Sequence, residues 1–89
     1  MSEHVLSWNP HAACRTIEGT VFVLVHDRMI SLNRVGSFVW EKFEKGSTID
    51  TVVRAIVDEF DVSHEVASAD ATTFVRTLKE KGMLVTTNQ

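Results

Sequence analysis

The sequence predicts an α+β fold in which a three-stranded antiparallel meander is followed by three helices. Three observations support this prediction. Short strand-like segments fill residues 13–32, the apolar period changes from two to 3.6 residues after residue 32, and turn or capping residues stand between the segments. Strands grouped ahead of helices are typical of α+β domains and not of parallel α/β domains. A chain of 89 residues is long enough for one hydrophobic core.

The strongest strand signal lies at residues 20–25, where five consecutive apolar residues are mostly β-branched or aromatic. Glu18 and Gly19 before it predict a tight turn from a strand that begins near Cys14. Residues 26–28 predict a second turn, and residues 29–32 predict a short third strand. Because a three-stranded sheet is only marginally stable, the helices are expected to cover one of its faces.

Three helices are expected after residue 32. Asn33 is the expected N-cap of the first helix, which ends by Gly46, and Ser63 is the expected N-cap of the third. The third helix is expected to run to about Lys81, with Gly82 just beyond it and an apolar face formed by Ala67, Ala71, Phe74 and Leu78. The second helix follows Ser47 or Thr48 and has an unbroken amphipathic stripe of Ile49, Val52, Val53, Ile56, Val57 and Phe60.

The two ends of the chain carry weaker signals. Residues 1–12 show no periodicity and contain Asn9-Pro10, so we expect an irregular N-terminal arm that is ordered only where Val5, Leu6 or Trp8 covers a surface. Residues 13–89 are predicted to form a single domain. Within it, residues 83–85 are a short apolar tail that forms either a strand or a lid on the core.

The overall charge disfavours a nucleic-acid partner. The formal net charge is −3, the pI is about 5.7, and nine Lys and Arg are spread along the chain without clustering. No apolar run approaches the roughly 20 residues of a membrane span, and no signal-peptide pattern opens the sequence. We therefore expect a cytoplasmic protein without a membrane partner.

Residues able to do catalysis are scattered. No two of the four histidines have the spacing of a helical metal site, and Cys14, the one cysteine, is expected to be a buried and inert thiol. Asp70 lies beside the apolar face of the third helix and is more often a structural hydrogen-bonding residue than a functional one. The sequence thus predicts a protein that is not an enzyme and that needs no metal or cofactor.

An ordered set of motifs resembles the PqqD-like family. It begins with Ile30-Ser-Leu-Asn-Arg-Val-Gly-Ser-Phe-Val-Trp40 and continues with Gly46-Ser-Thr-Ile. Its last part is a pattern in the third helix and the tail, formed by Val66, Asp70, Phe74, Leu78, Gly82 and Leu84. The resemblance covers roughly residues 13–86 and implies a fold similar to a winged helix-turn-helix.

This resemblance implies a peptide-recognition domain. Family members bind the leader of a ribosomally made precursor peptide and present it to a modifying enzyme, which is a radical S-adenosylmethionine protein in pyrroloquinoline quinone biosynthesis. The leader adds as a strand to the third strand and lies against the third helix. Arg76 and Lys79 are then available for acidic leader residues. The peptide-binding residues implied in this way are Met29, Ile30, Ser31, Leu32, Ala71, Val75, Arg76, Leu78 and Lys79.

Two segments depart from the members that define the pyrroloquinoline quinone pathway. Residues 24–28 replace a Leu-Leu-x-Pro-Glu pattern, and residues 43–46 replace a Cys-Asp-Gly pattern. Another peptide-modification system is therefore equally compatible with the sequence. Two alternatives of other classes stay open, namely a DNA-binding winged-helix protein and a structural module that forms a homodimer through its open strand edge.

Overall fold

The computed structural model describes residues 4–87, which form a three-stranded meander, three helices and one additional pair of short strands. The α+β prediction is confirmed, since the meander precedes the helices. In chain order the elements are β1 (Leu6–Trp8), β2 (Ala13–Ile17), β3 (Thr20–Val25), β4 (Arg28–Leu32), α1 (Arg34–Lys42), α2 (Ile49–Phe60), α3 (His64–Glu80) and β5 (Leu84–Thr86).

The meander has the strand order β2-β3-β4, and both of its connections are two-residue turns. In the first turn Glu18 and Gly19 have φ values of 51° and 83°, and in the second His26 has a φ of 56°. Such positive values match the right-handed twist of the flanking strands, which explains why two residues suffice for each turn. All five residues of β2 are exposed. Cys14 is among them, so the expectation of a buried thiol is wrong.

The helix boundaries follow from side chains that satisfy the first free N–H groups. The Asn33 side chain accepts a hydrogen bond from the Gly36 N–H at 2.7 Å, which confirms the predicted N-cap of α1. Thr48 caps α2 and Ser63 caps α3 in the same way. Asp61 ends α2 in the left-handed region with a φ of 55°. No helix within residues 4–87 has both the length and the apolar character needed to cross a membrane.

The core lies between the inner face of the meander and the three helices. Val23 and Val25 supply the sheet side, and Trp40 and Phe43 are fully buried on the helix side. From α3 the buried residues are Ala67, Ala71, Val75 and Leu78. Phe74, which the sequence placed on the buried face, is only half-buried and packs at the margin of this core.

The N-terminal segment is more ordered than the sequence predicted. Leu6–Trp8 forms β1, which pairs antiparallel with β5, and Leu6 is only 3% exposed. Trp8 stacks on Trp40 with ring centroids 4.6 Å apart, and its Nε1 donates to the Trp40 carbonyl oxygen at 2.8 Å. The expectation of an irregular arm is therefore wrong for residues 6–8. A three-residue strand is too short for a visible period, and its partner lies at the other end of the chain. The arm's first three residues lie outside the described ones.

Candidate functional site

Within the described residues, the edge of the meander along β4 is open, as is the opposite edge along β2. β4 pairs with β3 on one side, whereas β1 and β5 pair with each other and form a separate sheet. Within residues 4–87, no strand lies along the outer edge of β4. An uncovered edge presents unpaired N–H and C=O groups, which makes it able to accept a further strand.

The register identifies the residues that carry these unpaired groups. Val25 and Arg28 are partners that flank the two-residue turn, so they form a hydrogen-bonded pair. Since such pairs alternate along an antiparallel ladder, the first, third and fifth residues of β4 bond to β3. The second and fourth, Met29 and Ser31, direct their main-chain N–H and C=O groups away from the sheet. The open edge therefore offers two donors and two acceptors.

The side chains of β4 alternate between the two faces of the sheet. Ile30 pairs with the buried Val23 and packs against the core, and Leu32 is buried. Met29 points to the opposite face and is 63% exposed. The four residues predicted for the edge are thus of two kinds, because Met29 and Ser31 supply the free main-chain groups while Ile30 and Leu32 hold the strand on the core.

A groove of about 410 Å³ lies between the start of α1 and α3. We call it the edge groove, because α1 begins immediately after β4 and its N-cap Asn33 is part of the lining. Phe74 and Val35 supply apolar surface, and Asp70 supplies a carboxylate. The complete lining is Asn33, Val35, Gly36, Val39, Asp70, Thr73, Phe74 and Thr77.

Gly36 sets the width of the edge groove. A Cβ at this position would lie 3.0 Å from Cε1 of Phe74 and 3.1 Å from Oδ1 of Asn33. The missing side chain therefore allows the Phe74 ring to lie against the first turn of α1. A glycine inside a helix costs about 0.5–1 kcal/mol relative to alanine, so this close approach is a physical reason for its presence.

Three of the α3 residues predicted for the groove face the core instead. Ala71, Val75 and Leu78 are 0%, 3% and 0% exposed, and none of them belongs to the lining of the edge groove. The lining residues Asp70, Phe74 and Thr77 each precede one of them by a single position. One position is a rotation of about 100° on a helix, so the predicted residues and the lining residues lie on the same turns of α3 but on different faces.

The two predicted cations lie elsewhere. Lys79 lines a second groove of about 490 Å³ on the other flank of α3, together with Val75, Leu6 and the start of α2. Arg76 is exposed and is part of neither lining. The charged residue of the edge groove is Asp70, for which the sequence favoured a structural role. The side chain of Asp70 makes no hydrogen bond or ion pair to the described residues, so it is free to meet a ligand.

The sequence contained one signal for the residues that were missed. Gly36 follows its N-cap by three positions, inside a helix that otherwise has a regular apolar pattern. An isolated glycine at such a position often marks a close approach by another element. The identity of that element, and hence the part played by Phe74, depends on how α3 is rotated.

An open strand edge with a groove nearby is an arrangement that allows a small domain to bind an extended segment by strand addition. The comparison with known families identifies the class of domain. The family model described as coenzyme PQQ synthesis protein D (PqqD) matches residues 20–84, which is most of the chain. The chain therefore belongs to the PqqD family, and the resemblance noted in the sequence is confirmed.

Two solved structures are similar to this chain. TbiB1, solved in complex with the TbiA(beta) leader peptide, has a TM-score of 0.80 and 26% sequence identity, with 88% of this chain and 93% of TbiB1 covered. A lasso peptide synthetase B1, solved with its leader peptide, has a TM-score of 0.80 and 20% identity, with 90% and 96% covered, which supports the fold alone. No curated protein matches the chain.

Proposed function

We propose that this protein captures the leader segment of a ribosomally made precursor peptide and presents it to a modifying enzyme. The open edge of β4 beside the edge groove is the observation that carries the proposal. Membership of the PqqD family and the likeness to TbiB1, a protein solved with a leader peptide, support it.

Main-chain hydrogen bonds supply only part of the affinity. Met29 and Ser31 together offer four such bonds, and each is worth roughly 0.5–1.5 kcal/mol net. The sum is about 2–6 kcal/mol, whereas a micromolar complex needs about 8 kcal/mol in addition to the cost of association. Leader side chains must therefore contribute as well, and apolar residues suit the surface around Phe74 and Val35.

Asp70 gives the edge groove a preferred charge. Its carboxylate is exposed at the lining, and no lysine or arginine belongs to the same lining. A leader residue with a positive charge is therefore favoured near Asp70, and a negative charge is disfavoured. This reverses the earlier expectation that Arg76 and Lys79 meet an acidic leader.

The role that we propose is a binding role without catalysis. The edge groove contains one carboxylate and no histidine, cysteine or lysine. Chemistry on the precursor would then be done by a partner enzyme. That enzyme is either a radical S-adenosylmethionine protein, as in pyrroloquinoline quinone biosynthesis, or another peptide maturase.

Replacement of Ser31 by proline tests strand addition. The N–H of Ser31 faces the open edge, so proline removes a donor that β4 offers to an added strand and leaves every N–H of the β3–β4 ladder in place. The probe is the leader segment of a precursor peptide identified among the neighbouring genes, titrated by calorimetry. We expect Ser31→Pro to bind at least tenfold more weakly than the wild type, and Ser31→Ala to bind like the wild type.

Hydrogen exchange provides a second measurement that needs no variant. On addition of the leader, the amides of Met29 and Ser31 should become protected. Cys14 and Thr16, whose N–H groups face the outer edge of β2 by the same register argument, are the matched controls and should not change. Equal protection on both edges, or wild-type affinity in a folded Ser31→Pro variant, would contradict the proposal.

A further inference from the structure

The outer face of the meander, on the side away from the helices, is apolar and uncovered. Ile17, Leu24 and Met29 all lie on it, and they are three of the five large hydrophobic residues that are exposed within the described chain. Together with Phe22 they line a shallow depression of about 400 Å³. We call this surface the outer patch, defined by Ile17, Phe22, Leu24 and Met29.

One row of the outer patch ends at the open edge. Ala13 of β2 is the partner of Leu24, and Leu24 is the partner of Met29, so the three side chains form a cross-strand row. The β2 member of this row is the small Ala13, whereas Leu24 and Met29 are large, and Met29, which is 63% exposed, has a partner on one side only. A strand added to β4 would place its own residue directly beside Met29. Cross-strand partners on one face lie about 4.5–5.5 Å apart at Cβ.

The next row has a different character. Arg15 is the partner of Phe22, and Phe22 is the partner of Ser31, so this row meets the edge with a small polar residue. Between the two rows Ile30 faces the core. An added strand therefore meets polar, apolar and apolar positions in succession at Ser31, Ile30 and Met29.

We infer that the leader is held on both faces of its strand, through two consecutive apolar residues. This inference rests on the proposed function and extends it. The residue beside Ile30 points toward the helices, and the residue beside Met29 contacts only the β4 end of the outer patch, away from Ile17. An edge strand with one solvated face would instead alternate apolar and polar residues. The leader recognised here is thus an extended segment with a pair of adjacent apolar side chains.

A charge placed at Met29 tests the outer contact. With the same leader segment as the probe, we expect Met29→Glu to weaken binding at least tenfold. Ile17→Glu is the matched control, because Ile17 is 51% exposed on the same face but belongs to β2, away from the open edge. It should stay within twofold of the wild type.

Charge rescue identifies the leader residue that lies beside Met29. Each leader position is replaced in turn by arginine and titrated against the wild type and Met29→Glu. One position should weaken binding to the wild type and restore binding to Met29→Glu. An adjacent position should be intolerant of arginine in both proteins, because its side chain points toward the core.

The binding results for Met29→Glu and Ser31→Pro distinguish a failure of this inference from a failure of the proposed function. If Met29→Glu binds like the wild type while Ser31→Pro does not, strand addition stands and the outer contact is wrong. If neither variant loses affinity, the proposed function itself fails. Equal losses in Met29→Glu and Ile17→Glu would also overturn the inference, since they assign the whole outer patch to a folded partner. The inference would also be overturned if Met29→Glu changed the sedimentation of the free protein but not its affinity for the leader, since that result assigns the outer patch to a second copy.

Discussion

Phe74 and Val75 are neighbours in the sequence but have different environments. Phe74 is half-buried and lies against Gly36 in the edge groove, whereas Val75 is 3% exposed in the core between α3 and the rest of the domain. An aromatic side chain that keeps part of its surface exposed in a groove is suited to contact a ligand. Val75 has no place in the lining of the edge groove, so it affects a ligand bound there only through the stability of the fold.

Alanine substitutions at these two positions should affect two different quantities, leader affinity for Phe74 and the free energy of unfolding for Val75. Phe74→Ala removes apolar surface from the edge groove and should weaken leader binding at least tenfold. Val75→Ala leaves a small cavity and should lower the free energy of unfolding by about 2 kcal/mol while the folded protein keeps its affinity. Calorimetric titration and urea unfolding measure the two quantities. A larger loss of affinity in Val75→Ala would restore the original assignment of the helix face.

Local chemistry explains which residues could be predicted. Caps such as Asn33 and Ser63 depend on the few residues around them, so their role is visible in the sequence. The lining of the edge groove depends on the rotation of α3, and the sequence offered two adjacent apolar residues, Phe74 and Val75, for one buried position. Close packing against the rest of the core selects the smaller valine.

Among the elements, β1 and β5 hold the two ends of the chain together. Asn9 joins this pair to the end of α3, because its side chain donates to the Gly82 carbonyl at 2.7 Å and its N–H donates to the Met83 carbonyl at 3.0 Å. The stacked Trp8 and Trp40 rings lie beside it. The buried Nε1 of Trp40 has no acceptor among the described residues. The pair therefore stabilises the fold by stacking, by burial and by the one hydrogen bond from Trp8 Nε1 to the Trp40 carbonyl oxygen.

Truncation of Trp8 should release β1 from the core. Trp8→Ala loses the stacked ring and the bond to the Trp40 carbonyl, and we expect a loss of about 3 kcal/mol in the free energy of unfolding. Trp8→Phe keeps a ring in place and should lose about 1 kcal/mol. Urea unfolding followed by circular dichroism measures both. Equal stability of the two variants would show that the ring does not anchor the strand.

The strands of the meander could be predicted because each has its partner next to it in the sequence. Residues 20–25 have their partners within a few positions on either side, and the turns between them have recognisable chemistry. β1 has neither advantage, because its pairing with β5 joins the two ends of the chain. Its order comes from tertiary contacts, which a local pattern does not contain.

On the scale of the whole molecule, the protein is flat, with extents of 35 × 34 × 19 Å. The meander contributes one layer and the helices the other, so the outer patch has no third layer over it within residues 4–87. A leader strand would add a fourth strand to the meander, beside β4. Binding would then add contacts to the folded state alone, because the edge does not exist in the unfolded chain.

Saturation with the leader should therefore raise the melting temperature. At a free concentration one hundred times Kd, binding adds about 2.7 kcal/mol to the free energy of unfolding. For a domain of this size that corresponds to a rise of roughly 10–20 °C. Differential scanning calorimetry with and without the leader peptide measures the rise, and Ser31→Pro at the same concentration serves as the control. No shift for the wild type would argue against specific binding.

The pairing of β1 with β5 has a consequence for protein engineering. Leu6 and Thr86 are partners, so the two ends of the described chain leave the domain side by side, on a sheet to which β4 does not belong. A unit with adjacent ends can be spliced into a loop of a larger protein, or permuted by joining its ends, while the open edge of β4 stays intact.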